Sequence, residues 1–142
     1  MSDYKTRYSS LVTMRKVQAA VDKVLDRLIK SGHARKGTYG AGWQKVNMNE
    51  IVERFAPGST PQPVGGKVEF YNPGSPVKVI VDVGGGYCRL QKMPQTTRKA
   101  QYLDINGHDA HNYKTSDGRT KGRTHDEYLK VTHFLLKKKG EA

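Results

Sequence analysis

A chain of 142 residues, 35% hydrophobic with 15 Gly and 8 Tyr, has room for one core and not two, and is expected to fold with long polar loops. Its 25 Lys and Arg against 13 Asp and Glu leave a net charge of +12, which points to a polyanionic partner, nucleic acid first. No apolar run approaches the ~20 residues of a membrane-spanning helix and the N-terminus lacks the charged-then-apolar order of a signal peptide, so a soluble segment without membrane insertion is expected; the lone Cys88 excludes an internal disulfide framework and reads as apolar filler in a strand.

From Ser10 to Lys30 the residues Val17, Ala20, Val21, Val24, Leu25, Leu28 and Ile29 recur at steps of three and four, while Arg15, Lys16, Lys23, Arg27 and Lys30 face elsewhere. That spacing predicts an amphipathic helix with a basic outer side, capped by Ser9 or Ser10 and stopped at Ser31-Gly32. A Gly-rich stretch with Tyr39 and Trp43 follows. Asn47 stands three residues before Glu50, which predicts a short helix running to Phe55 and ending before Pro57-Gly58. Residues 59–66, with Pro61, Pro63 and Gly65-Gly66, read as a linker between a helical part, 1–58, and a sheet part, 67–142, of a single domain.

Short β-branched or aromatic runs at Lys67–Tyr71, Val77–Val83 and Tyr87–Gln91 predict an antiparallel meander, turned at Asn72-Pro73-Gly74 and Gly84-Gly85-Gly86. The Gly triplet joins two strands and no Gly-Lys-Ser/Thr follows it, so a hairpin turn is expected there rather than a phosphate cradle. A fourth strand, Gln101–Ile105, ends at the tight-turn pair Asn106-Gly107, and a long basic loop spans His108–Arg123. Thr124 and Glu127 form a capping box, yet Val131–Leu136 prefers a strand; one helical turn and then a final strand carrying Thr132 and His133 are expected, with a Lys137-Lys138-Lys139 tail. The fold class is α+β, with N-terminal helices packed on a twisted antiparallel β-sheet.

Four of the five histidines, His108, His111, His125 and His133, fall in the last 35 residues together with Lys114, Arg119, Lys121 and Arg123. Cleaving RNA without a metal needs a base for the 2′-hydroxyl, an acid for the departing 5′-oxygen and a cation for the charge on phosphate. Histidine, with an ordinary pKa near ~6.5, suits both proton transfers, and Arg or Lys suits the third role. DNA lacks the internal nucleophile, so RNA is the expected substrate. His133 is the strongest candidate, because an idle imidazole in an apolar segment would be expensive to bury.

His125, beside Asp126 and Glu127, is either a surface residue near a helix start or the second proton carrier. His108 and His111 could meet one ion but lack a clear third ligand, and the carboxylates are scattered through turns, so neither a metal site nor a cofactor is expected. Arg89, Lys92, Arg98 and Lys99, interleaved with Tyr87 and Tyr102, form either a phosphate-binding face with rings for stacking bases or a solvated charged face. Lys114 and Arg119 extend the candidate RNA-binding set.

With helices first, then strands carrying Tyr87-Cys88-Arg89-Leu90 and Tyr102-Leu103-Asp104 before Asn106-Gly107, and a closing Thr132-His133-Phe134, the chain resembles the C-terminal toxin domains of bacterial polymorphic toxins. More narrowly, residues 66–136 resemble the ribonuclease superfamily that groups barnase, the EndoU enzymes and colicin-type tRNA nucleases. The resemblance implies a barnase- or EndoU-like sheet and a metal-independent endoribonuclease, with tRNA among the candidate substrates. It also implies delivery as part of a larger toxin, action as a monomer in the cytoplasm of a target bacterium, and neutralisation by an acidic immunity protein. The family's Thr or Ser and His on late strands fall on Thr132 and His133. His125, Lys121, Arg123 and Arg89 are assigned to the remaining roles by chemistry alone. The rival expectation is a non-catalytic basic nucleic-acid-binding protein, which explains the charge, the tyrosines and the Lys-rich tail without an active site.

Overall fold

The computed structural model describes residues 9–30 and 43–141. The three-and-four spacing of the first apolar set folds as helix α1, Met14–Lys30, whose Val17, Val21, Val24 and Leu25 are buried. Its cap is Thr13 rather than Ser9 or Ser10, since the Thr13 hydroxyl accepts from the Lys16 amide at 3.2 Å. The stop expected at Ser31-Gly32 and the Gly-rich stretch as far as Gly42 lie outside the described residues. A two-residue strand β1, Lys45–Val46, leads into α2, Met48–Phe55, where Asn47 caps the helix by accepting from the Glu50 amide at 3.0 Å.

The segment read as a linker contains a strand. β2, Gln62–Val64, pairs antiparallel with β3, Lys67–Phe70, and Pro63 is tolerated because β2 is the sheet edge. β4, Val77–Asp82, and β5, Tyr87–Lys92, form the predicted hairpin. Its Gly turn is closed by the Gly86 amide donating to the Asp82 carbonyl at 2.9 Å, with Gly86 at φ +69°. β6 is only Tyr102–Leu103, shorter than the strand expected over 101–105, because Asp104 already turns the chain. The Asp104 carboxylate accepts from the amides of Asn106 and His108 at 2.9 and 3.0 Å.

The basic loop 108–123 holds a separate hairpin of β7, Asn112–Lys114, and β8, Thr120–Gly122. Their residues are too polar for alternation to betray a strand. Helix α3, His125–Thr132, starts at the predicted capping box and runs two turns rather than one. Val131 and Thr132 favour strands, but the Thr132 hydroxyl donates back to the Tyr128 carbonyl at 2.8 Å, a bond available only inside a helix. The final strand β9 is Phe134–Leu136, so Thr132 closes the helix and His133 is its C-cap, and neither lies on a strand.

The main sheet runs β1-β9-β5-β4-β3-β2, with β6 on β5. It is mixed rather than purely antiparallel, because β1 pairs parallel with β9. Strand alternation divides its two faces. Val68, Phe70, Val79, Val81, Cys88, Leu90, Phe134 and Leu136 join α1 and α2 in the core. The opposite face carries Tyr87, Arg89 and Gln91 of β5, with Ile80 and Leu135 buried outside that core. The chain is thus α+β, two helices covering one face of the sheet and α3 packing against β6.

The lysine tail is tied down. The Lys139 amide donates to Asp22 at 3.1 Å, Gln18 donates to the Lys137 carbonyl at 3.2 Å, and Lys138 pairs with Asp26 of α1 at 2.6 Å.

Candidate active site

The junction between α3 and β9 fixes His133. Its backbone is extended at φ −118° and ψ 125°, and only 8% of the residue is exposed. Nδ1 lies 2.8 Å from the Leu129 carbonyl, which can only accept, so Nδ1 carries the hydrogen and Nε2 presents its lone pair. The imidazole stacks on Trp43, centroids 4.5 Å apart at 28°, and meets Tyr87 at 5.3 Å. Burial pulls the His133 pKa below its ordinary value and the Arg89 charge adds to this, against the opposing Leu129 hydrogen bond. His133 is therefore neutral at neutral pH, with Nε2 ready to accept a proton.

Arg89 leaves β5 on the same face. Its guanidinium carbon sits 3.4 Å from the centre of the Tyr102 ring on neighbouring β6. Nε is buried without a hydrogen-bond partner among the described residues, and no carboxylate there pairs with the guanidinium. A partly desolvated cation lacking an anion is an uncommon and costly arrangement.

Beyond Arg89 stands Tyr128 of α3, half-buried. Burial raises its pKa, with the charge of Arg89 opposing, so the phenol stays protonated. Tyr128 stacks on His111, centroids 4.6 Å apart and planes within 9°.

Of the sequence-predicted site residues, Arg89, Tyr87, Tyr102 and His133 come together. Thr132 is beside them but fully buried, its hydroxyl donating to the Tyr128 carbonyl and lying 3.2 Å from His133 Nδ1, so a phosphate cannot reach it. His125 is exposed at the opposite end of α3; eight residues at about 1.5 Å each put about 12 Å between it and His133, too far to share one phosphate. Arg123 is a structural clamp whose Nη1 donates to the carbonyls of Ala110 and Asn112 at 3.0 and 3.1 Å. Lys121 is exposed on β8. Lys92 falls on the core side of β5 by alternation, opposite Arg89. Arg98 and Lys99 are exposed on the loop after β5, where Gln95 Nε2 donates to the carbonyls of Thr97 and Arg98. Arg119 pairs with Asp117 at 3.5 Å in the β7–β8 turn, and the side chain of Lys114 lies outside the described residues.

Sequence reasoning passed over Trp43, Tyr128 and the role of His111 as a ring. Trp43 offered one signal, being the sole tryptophan, but nothing in its surroundings predicted that β1 would add in parallel beside β9 and bring it onto His133. Among the described residues no three His, Cys, Asp or Glu side chains gather in a way that could hold a metal ion. Cys88 is filler: burial pushes its thiol pKa up to about 12. No helix in the described residues is long and apolar enough to cross a membrane. No family model, curated protein or solved structure matches this chain, and its chemistry is read from its own residues.

Proposed function

We propose that this chain is a metal-independent endoribonuclease and that the sheet face opposite the core, which carries Arg89 with His133 beside it, is its active site. The observation that carries the reading is the partly buried guanidinium of Arg89, with Nε unpartnered and no carboxylate pairing among the described residues, beside a neutral histidine whose Nδ1 is anchored to a backbone carbonyl. A phosphodiester supplies the anion that Arg89 lacks. His133 Nε2 takes the 2′-hydroxyl proton as the 2′-oxygen bonds to phosphorus. The bond from phosphorus to the 5′-oxygen breaks, and the Tyr128 hydroxyl, a phenol protonated at neutral pH, gives that oxygen its proton. Arg89 stabilises the charge on the phosphoryl oxygens. The products are a 2′,3′-cyclic phosphate and a free 5′-hydroxyl.

Two helices on one side of a sheet and a polar site on the other support the barnase- or EndoU-like arrangement that the sequence resembles. On this reading the domain is the toxic end of a larger delivered protein, acting in a target cytoplasm, and its +12 charge suits both RNA and an acidic immunity partner.

The test is a gel of total bacterial RNA incubated with the protein in EDTA, beside His133→Ala. Discrete new bands for the wild type alone support the reading. RNA that stays intact in both lanes while gel-shift binding persists replaces it with a non-catalytic RNA binder, and bands that need Mg²⁺ replace it with a metal nuclease.

A further inference from the structure

His111 takes no part in the proton transfers assigned to His133 and Tyr128, and the geometry around its ring is that of a built surface. His111 is exposed, and its ring lies parallel to Tyr128 at 4.6 Å, so one imidazole face is backed by an aromatic ring while the residue itself stays accessible to solvent. The backbone beneath it is clamped. The His111 amide donates to Asp109 at 2.9 Å, its carbonyl accepts from the Arg123 amide at 2.8 Å, and Arg123 Nη1 grips the carbonyls on either side. A flat, accessible ring fixed in advance is what a stacking ligand requires, because little ordering entropy is lost on binding.

The ligand class follows from the neighbours. Arg89 lies 3.4 Å over the Tyr102 ring of β6, and α3, which carries Tyr128, packs against β6, so the stack stands on the same side of the sheet as this guanidinium, whose Nε has no partner among the described residues. A ligand that satisfies both has a planar π face attached to an anion, and a nucleotide unit has that form. A base inside a duplex has both faces covered by adjacent pairs and cannot offer one to a protein ring.

We propose that His111, backed by Tyr128, is a base-stacking subsite for an unpaired nucleotide next to the phosphate bound at Arg89, so that the substrates are single-stranded or looped RNA rather than duplex. This rests on the ribonuclease reading for its choice of RNA, but it is measured without cleavage.

The probe is a short 2′-O-methyl oligoribonucleotide, which cannot be cut by 2′-hydroxyl attack, carrying one 2-aminopurine whose fluorescence is quenched on stacking. The wild-type chain is expected to quench it. His111→Ala should weaken binding about tenfold and remove most of the quenching, within the range for losing one base–aromatic stack. His111→Phe should restore both, which separates stacking from loss of fold or charge. The same strand in a blunt duplex should bind more weakly and be indifferent to His111→Ala. Unchanged affinity and quenching in His111→Ala, or a duplex bound as well as the single strand, overturns the subsite. Full quenching by a protein that leaves total RNA intact keeps it and overturns only the cleavage reading.

Discussion

Replacing Arg89 with methionine separates the needs of the fold from those of the site. The buried Nε has no hydrogen-bond partner among the described residues, and an unmade hydrogen bond of this kind costs about 1–3 kcal/mol. The contact of the guanidinium with the Tyr102 ring at 3.4 Å returns about 0.5–2 kcal/mol. Methionine reaches only to about the position of Nε, so it removes the cost of the buried polar atom and keeps an apolar stem, with part of the ring contact, in its place. Arg89→Met is therefore expected to be neutral or stabilising by up to about 1 kcal/mol, a rise in Tm of up to about 4 °C for a chain of this size. Cleavage should fall by about 10²–10³, the usual loss when one group stabilising transition-state charge is removed. Thermal unfolding by circular dichroism and initial rates on a fluorogenic oligoribonucleotide measure the two sides. A variant destabilised by 2 kcal/mol or more would show that the fold uses the cation, and one that still cleaves at the wild-type rate would remove Arg89 from the site; either result refutes the reasoning.

The lowered pKa of His133 fixes a sign for stability against pH: above the ordinary value of 6.5 both states are neutral there and its contribution is whole. As pH falls below 6.5 the unfolded chain takes the proton first and stability drops, until the folded state also protonates; the urea midpoint difference between wild type and His133→Phe should shift across that window, and a flat difference would contradict it. Thr132→Val should cost about 1 kcal/mol through loss of its hydroxyl bond to the Tyr128 carbonyl. His125→Ala, at the far end of α3, should leave cleavage within about twofold, since a proton carrier must lie within hydrogen-bond reach of its substrate; a loss of a hundredfold there would restore His125 to the mechanism. Gly107→Ala should cost about 1–2 kcal/mol, because Gly107 has φ +80° and an added Cβ would stand 3.2 Å from Phe55 Cε1; an unchanged unfolding midpoint would count against this.

Local signals determined much of this protein. The apolar spacing of α1, the caps at Asn47 and Thr124, the β4–β5 hairpin and the Asn106-Gly107 turn each arise from interactions within a few residues, so each was legible in the order of amino acids. The burial of His133 was legible for the same reason, since an apolar run has one place to go. The remainder was decided by contacts that no local pattern encodes. Pro63 looks like a linker residue until β3 supplies a partner for its strand. Val131 and Thr132 favour extended backbone until a side chain bonds back along the helix. His125 and His133 are close in sequence, yet a rigid helix holds them apart, while Trp43, Arg89, Tyr102, Tyr128 and His111 are scattered along the chain and meet only because sheet order and the return of α3 bring them together. Composition and periodicity determine what kinds of chemistry a chain carries; which groups stand within reach of one phosphate depends on pairings between distant segments, and only the tertiary structure decides those.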